Sequence, residues 1–262
     1  MTDAPAQPAE PKADLDLFGK APKGRADWSH RRGEPRLFAI LWMLFLMATS
    51  GIMLLGVAAA NAISPSVTRP AAIAMLVCAM LGITVLWPMV RLSQVAPQHP
   101  VRAAVGDLVV MLPPAYALIL PQAFWFLSDW PIAVVLAVAG AFTVWGVLVG
   151  GVLALALATV RQVGRVSWML VILAVTLGAP VLLGVGLVGS PARATNADPT
   201  PWWMASPVTA VLDITRPRDA TGRSARVAAR HWRELGATAA VGGIAWILAG
   251  VAAGFARAAR DA

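Results

Sequence analysis

The stretch LFAILWMLFLMATSGIMLLGVAAANAI, Leu37 to Ile63, runs for 27 residues without a charge. A helix needs about 20 apolar residues to cross the roughly 30 Å hydrocarbon core of a bilayer. Five more apolar runs follow, at about 70–90, 108–127, 132–160, 166–188 and 235–255. In lipid every backbone group must be satisfied within the segment, so such runs fold as helices. The fold class expected is therefore all-α, a polytopic integral membrane protein with about six transmembrane helices. Composition agrees, with 58% hydrophobic and 13% charged residues, against about 25% charged in a soluble domain.

The runs differ in kind. Pro113, Pro114 and Pro121 interrupt the third, so it is expected to be kinked, because each proline removes a donor and clashes with the preceding turn. The fifth carries Gly178-Ala179-Pro180, a second predicted kink. Gly146-x-x-x-Gly150 and Gly250-x-x-x-Gly254 allow close backbone approach. Packing within the chain is the favoured reading for both, with a homodimer seam as the second. Cys78, the single cysteine, has Val77, Ala79 and Met80 beside it and reads as a packing residue. Ala60-Asn61-Ala62 has the small-x-small look of a cleavage site, but the run is too long for a signal peptide, so a retained helix is expected.

Residues 1–27, rich in Ala and Pro, read as a disordered cytoplasmic tail, within which Asp14 to Lys20 (DLDLFGK) is a small acidic-apolar patch. Residues 28–36, with Trp28, Arg31, Arg32 and Arg36, read as an interfacial foot interrupted by Gly33 and Pro35. The transmembrane domain covers 37–257, and 258–262 form a short tail.

Arg and Lys mark the cytoplasmic side. Lys20, Lys23, Arg25, Arg31, Arg32 and Arg36 place the amino terminus inside a cell (inner or plasma) membrane, and Arg91, Arg102, Arg161 and Arg165 continue the alternation. The loop 189–234 breaks it with seven arginines. Either its opening stretch crosses, or the third run dips in and returns, or the loop is an exterior basic segment. The plain six-span form with an exterior loop is adopted, since it also places Arg257 and Arg260 inside. Within 199–234, Trp202 to Ile214 is too short to cross and reads as a hairpin or shallow re-entrant broken by Pro207, with Asp213 near the surface. Arg223, Arg226, Arg230 and Arg233 step by three, four and three, one helical face, and with Trp232 make a candidate membrane-surface contact.

Catalytic and metal-binding constellations are missing from the sequence. His30, His99 and His231 fall in three separate segments, and no phosphate-cradling glycine loop occurs. No enzyme, cofactor or metal is expected. The net charge of +8 reads as topology signal and lipid contact rather than nucleic-acid binding. No charge is expected well inside a span, with Asp107 at the mouth of the third run and Asp129 in a turn, which argues against an ion-coupled carrier.

The basic foot, six spans, a short cytoplasmic loop between the second and third, and SPVTAVLDI in an exterior loop before the last span together resemble the permease subunits of type-2 ATP-binding-cassette exporters. The resemblance implies a transporter subunit whose ATPase is a separate chain. It also implies that the loop Arg91 to Asp107, with Arg91, Gln94, His99 and Arg102, is the partner contact. A non-transporting membrane scaffold or assembly factor is the alternative, favoured by the lack of polar residues lining a path.

Overall fold

The computed structural model describes residues 35–59, 64–94, 97–160, 164–184, 199, 202–217 and 225–261. The expected amino-terminal tail, residues 28–34 of the foot and the cleavage-like site fall outside these residues, while Pro35 and Arg36 of the foot open the first helix. The described chain is helical: α1 (Pro35–Ala59), α2 (Pro65–Leu81), a π-turn (Gly82–Leu86), α3 (Trp87–Ser93), α4 (Pro100–Ile119), a 3₁₀ turn (Leu120–Ala123), α5 (Ile132–Thr159), α6 (Arg165–Gly184), a second 3₁₀ turn (Trp203–Ala205), α7 (Pro207–Ile214) and α8 (Ala229–Asp261). Five segments are long and apolar enough to cross a membrane: Phe38–Ala59, Pro65–Ser93, Pro100–Ala123, Ile132–Thr159 and Ala229–Ala256. The chain is thus an all-α, multi-pass membrane protein.

The bundle has two ends. α1 begins at the near end, where α3 stops, α4 starts and α6 starts. At the far end α2 begins and the 3₁₀ turn 120–123 leads into α5. α5 and α8 pack along their lengths: a Cβ on Gly140 would touch Leu235, and one on Gly151 would touch Ala245. Both indices rise together, so α5 and α8 run parallel, and the chain between them must return from the near end to the far end. α6, at 20 residues and thus about 30 Å, is the one described element between them long enough to do so. Its helix continues through Pro180.

Glycines set two of the closest approaches. A Cβ on Gly82 would lie 2.5 Å from the Phe45 ring and 2.6 Å from Trp42, so only glycine lets α1 seat there. On Gly151 it would meet Ala245 Cβ at 2.9 Å and the Gly242 carbonyl at 3.1 Å. Gly146 and Gly150 face Leu108, Trp87 and Trp246, so the first glycine pair serves packing within the chain. Gly250 and Gly254 have open space beside them.

Proline placement explains two departures from regular helix. Pro88 lacks an N–H, and the turn before it widens: the Trp87 N–H reaches back to the Gly82 carbonyl, five residues away. The residue taken up by this π-turn keeps Trp87 and Arg91 on the buried side with Leu76, Met80 and Ile83. Pro113 and Pro114 remain inside α4, and the Trp42 indole of α1 donates to the Met111 carbonyl at 3.0 Å, tying α1 to this stretch of α4.

Three expectations are corrected. α4 starts at Pro100 rather than near 108, which puts Asp107 inside a helix instead of at its mouth. Pro207 starts a helix rather than breaking one. It occupies the first position of α7, where its missing N–H costs nothing, while the Ser206 hydroxyl accepts from the Val208 N–H at 3.1 Å and the Ser206 N–H donates to Thr209 Oγ1 at 3.1 Å. Cys78 is exposed on the outside of α2 and is not a packing residue.

Candidate functional site

Asp107 and Arg91 form the principal polar contact at the near end. They are 1% and 7% exposed. Arg91 Nε donates to Asp107 Oδ2 at 2.5 Å, Arg91 Nη2 pairs with Oδ1, and the Trp87 indole donates to Oδ2 at 2.8 Å. Three donors on one carboxylate satisfy a charge that would otherwise be very costly away from water. The Arg91 guanidinium also lies over the Phe38 ring, 5.6 Å from its centroid, a cation–π contact that brings in α1. The expectation that no charge lies inside a span is therefore corrected: here a matched pair joins α3 to α4.

The pair stands at the root of the loop that links the two helices. Arg91 Nη1 donates to Gln94 Oε1 at 3.1 Å, and Arg165, the first residue of α6, donates to the Gln94 carbonyl at 2.8 Å. Arg165 is 6% exposed, and its Nε has no partner. Of the four residues predicted to face a partner, Arg91 and Gln94 therefore turn inward and hold the loop. Arg91 cannot be offered to another chain. His99 and Arg102 are exposed at the tip and first turn of α4. Beside them an open groove of about 480 Å³ runs between His99–Arg102 and Gly250, Ala253 and Gly254 of α8.

The far end holds the second cluster. α7 spans eight residues, about 12 Å of rise against a core of roughly 30 Å. It lies packed against α2, α5 and α6. Ser206 Oγ donates to the Thr176 carbonyl of α6 at 2.9 Å, and Thr209 Oγ1 contacts the Trp203 carbonyl at 2.8 Å. Asp213 is buried at 5%, not near the surface as expected, and His231 is wholly buried. His231 Nε2 lies 3.2 Å from Asp213 Oδ2, and the Ala228 N–H donates to His231 Nδ1 at 3.1 Å. A nitrogen that accepts a backbone N–H carries no proton itself, so the hydrogen-bond network assigns the proton to Nε2, which donates to Asp213.

His231 does the job of a capping-box side chain, reaching back to the N–H at the helix entrance. The Trp203 ring sits 4.9 Å from the imidazole, and its indole donates to Glu234, which pairs with Arg230 at 2.6 Å.

The predicted basic amphipathic helix does not form as expected. α8 begins at Ala229, and Ala225 bridges back to Pro217 in extended form. Arg226 therefore precedes the helix and shares no helical face with Arg230 and Arg233; Arg223 lies outside the described residues. Arg226, Arg230, Arg233 and Trp232 are all exposed, while His231 and Leu235 take the buried side. Sequence reasoning missed the Arg91–Asp107 and Asp213–His231 pairs. Their partners sit 16 and 18 residues apart, on different helices, with no local signal linking them.

Among the described residues no group of three or more His, Cys, Asp or Glu could hold a metal ion. Comparisons with protein-family models, with curated proteins and with solved structures find no match for this chain.

Proposed function

We propose that this chain is the permease-like membrane subunit of an ATP-driven transporter, with six crossings, a cytoplasmic amino terminus and its ATPase on a separate chain. One observation carries the reading: the short near-end loop is braced on both stems. Arg91 and Asp107 lock α3 to α4, and Arg165 ties the loop backbone to α6. A push on the tip at His99 and Arg102 is then passed to three helices rather than absorbed by a slack connection. A membrane subunit driven from outside the bilayer needs such a lever. The short, non-crossing α7 before the last helix is the second feature in keeping with it. The reading as a scaffold draws on one fact, that the buried Asp107 and Arg91 are fully engaged with each other and present no charged path.

Affinity purification of the tagged full chain from native membranes in mild detergent tests this. An ATPase should co-purify, should be lost with Arg102→Glu, and should persist when residues 1–27 are deleted. Recovery of no ATPase from repeated purifications overturns the proposal. A partner lost on deleting the tail but kept by Arg102→Glu supports the scaffold instead.

A further inference from the structure

The turn between the 3₁₀ segment and α5 leaves Phe124, Trp125 and Phe126 bare, at 54%, 78% and 43% exposure. The three rings pack on one another, Phe124 on Phe126 with centroids 5.6 Å apart and Trp125 edge-on to Phe126 at 5.7 Å. Exposed Leu120 and Ile132 flank them in sequence, on the 3₁₀ turn and at the start of α5. Burial was open to this turn. Asp129 takes φ 50°, in the left-handed region, and the next residue, Trp130, goes into the bundle at 3% exposure.

Four of its carbonyls, those of Phe124, Leu127, Ser128 and Asp129, are satisfied by the turn itself or by α2. The Phe124 carbonyl accepts from the Leu127 and Asp129 N–H groups, and the Gln122 carbonyl accepts from Trp130 N–H. Thr68 Oγ1 donates to the Leu127 carbonyl at 2.5 Å, while Arg69 donates to the carbonyls of Ser128 at 2.7 Å and Asp129 at 3.4 Å. Ser128 Oγ donates to Gln122 Oε1 at 2.8 Å. A turn standing in water has no need of an arginine to cap its carbonyls. One set in a water-poor layer does, because each open polar group there is costly.

We infer that residues 124–129 form an aromatic anchor seated in the lipid headgroup–acyl boundary at the far end, with Arg69 and Thr68 as the side chains that make the turn fit to enter it. Lipid is the occupant the observations favour. Trp and Phe rings suit that boundary, and a docked protein would not explain why Thr68 and Arg69 cap the carbonyls of Leu127, Ser128 and Asp129.

The test uses the full chain with Cys78→Ala and Trp125→Cys, labelled with an environment-sensitive fluorophore, in nanodiscs of phosphatidylcholine and phosphatidylglycerol. Quenching by a shallow spin-labelled phosphatidylcholine should exceed that at a Gln98→Cys control by roughly twofold or more, as for a group held in the interface. Iodide should quench the Trp125 site less than the control. Adding Arg69→Ala should raise iodide quenching at the Trp125 site, since the freed carbonyls then seek water. Strong iodide quenching at position 125 in the chain with Arg69 intact overturns the inference. So does protection from both quenchers, which places the turn under another protein. If Trp125→Cys does not fold, Phe126→Cys gives the same readout.

Discussion

Arg91–Asp107 at the near end and His231–Asp213 at the far end are both buried acid–base contacts, yet they are built differently. At the near end two side chains meet with three N–H donors on one carboxylate, and the acid is satisfied only by its charged partner and an indole. At the far end the histidine gives one nitrogen to a backbone N–H and the other to the acid, so the contact is a relay of hydrogen bonds through a neutral ring. The first resists movement because breaking it strands a charge. The second is a staple: it fixes the start of α8 to the end of α7 through ordinary hydrogen bonds. The two ends of the molecule are thus held by buried contacts of different kinds.

Replacing one acid with its amide separates the two. Asp107→Asn supplies a single acceptor and turns an amide N–H toward Arg91, leaving a buried guanidinium unmatched. The expected loss is about 3–5 kcal/mol, read as a large fall in thermal midpoint in detergent. The double variant Arg91→Met with Asp107→Leu should recover most of it, because no charge is then buried. Were Asp107→Asn nearly silent, the near-end pair would not be the clamp described.

His231→Ala removes both hydrogen bonds and the ring under Trp203. A loss of about 2 kcal/mol follows from the unpaired groups left behind, with faster hydrogen exchange confined to α7 and the first turn of α8. Ser206→Ala takes away the cap of α7 and its tie to the Thr176 carbonyl, and should cost about 1 kcal/mol. Asp213→Asn keeps an oxygen that accepts from Nε2–H and should cost less than Asp107→Asn. A cost for Asp213→Asn equal to that of Asp107→Asn would erase the contrast.

The five long apolar helices were readable from residue type alone because lipid demands long apolar runs. Ile132 to Thr159 came out within a residue of the expectation for that reason. Helix starts that carry polar residues were harder. Arg102 and Asp107 look like loop until Arg91, sixteen residues earlier, is seen to match the acid. Pro100, behind His99, was the available hint of a helix start. Ser206-Pro207-x-Thr209 is a helix-start signature too, but a proline in a short apolar stretch reads as easily as a break. The stepping arginines misled for a related reason. Their period is helical, yet α8 takes up only its last two members, because His231 caps the helix at Ala228.

The central claim is that the two buried acid–base contacts lie at opposite faces of the membrane and that α7 does not cross between them. Single cysteines at Gln98, Trp202 and Arg226, each exposed, in a Cys78→Ala background, test it with a membrane-impermeant thiol reagent on intact cells. The account predicts labelling at Trp202 and Arg226 and protection at Gln98. Opposite labelling of Trp202 and Arg226 would show that the chain crosses at α7, and labelling at Gln98 would place the braced loop on the outer face; either result contradicts the account.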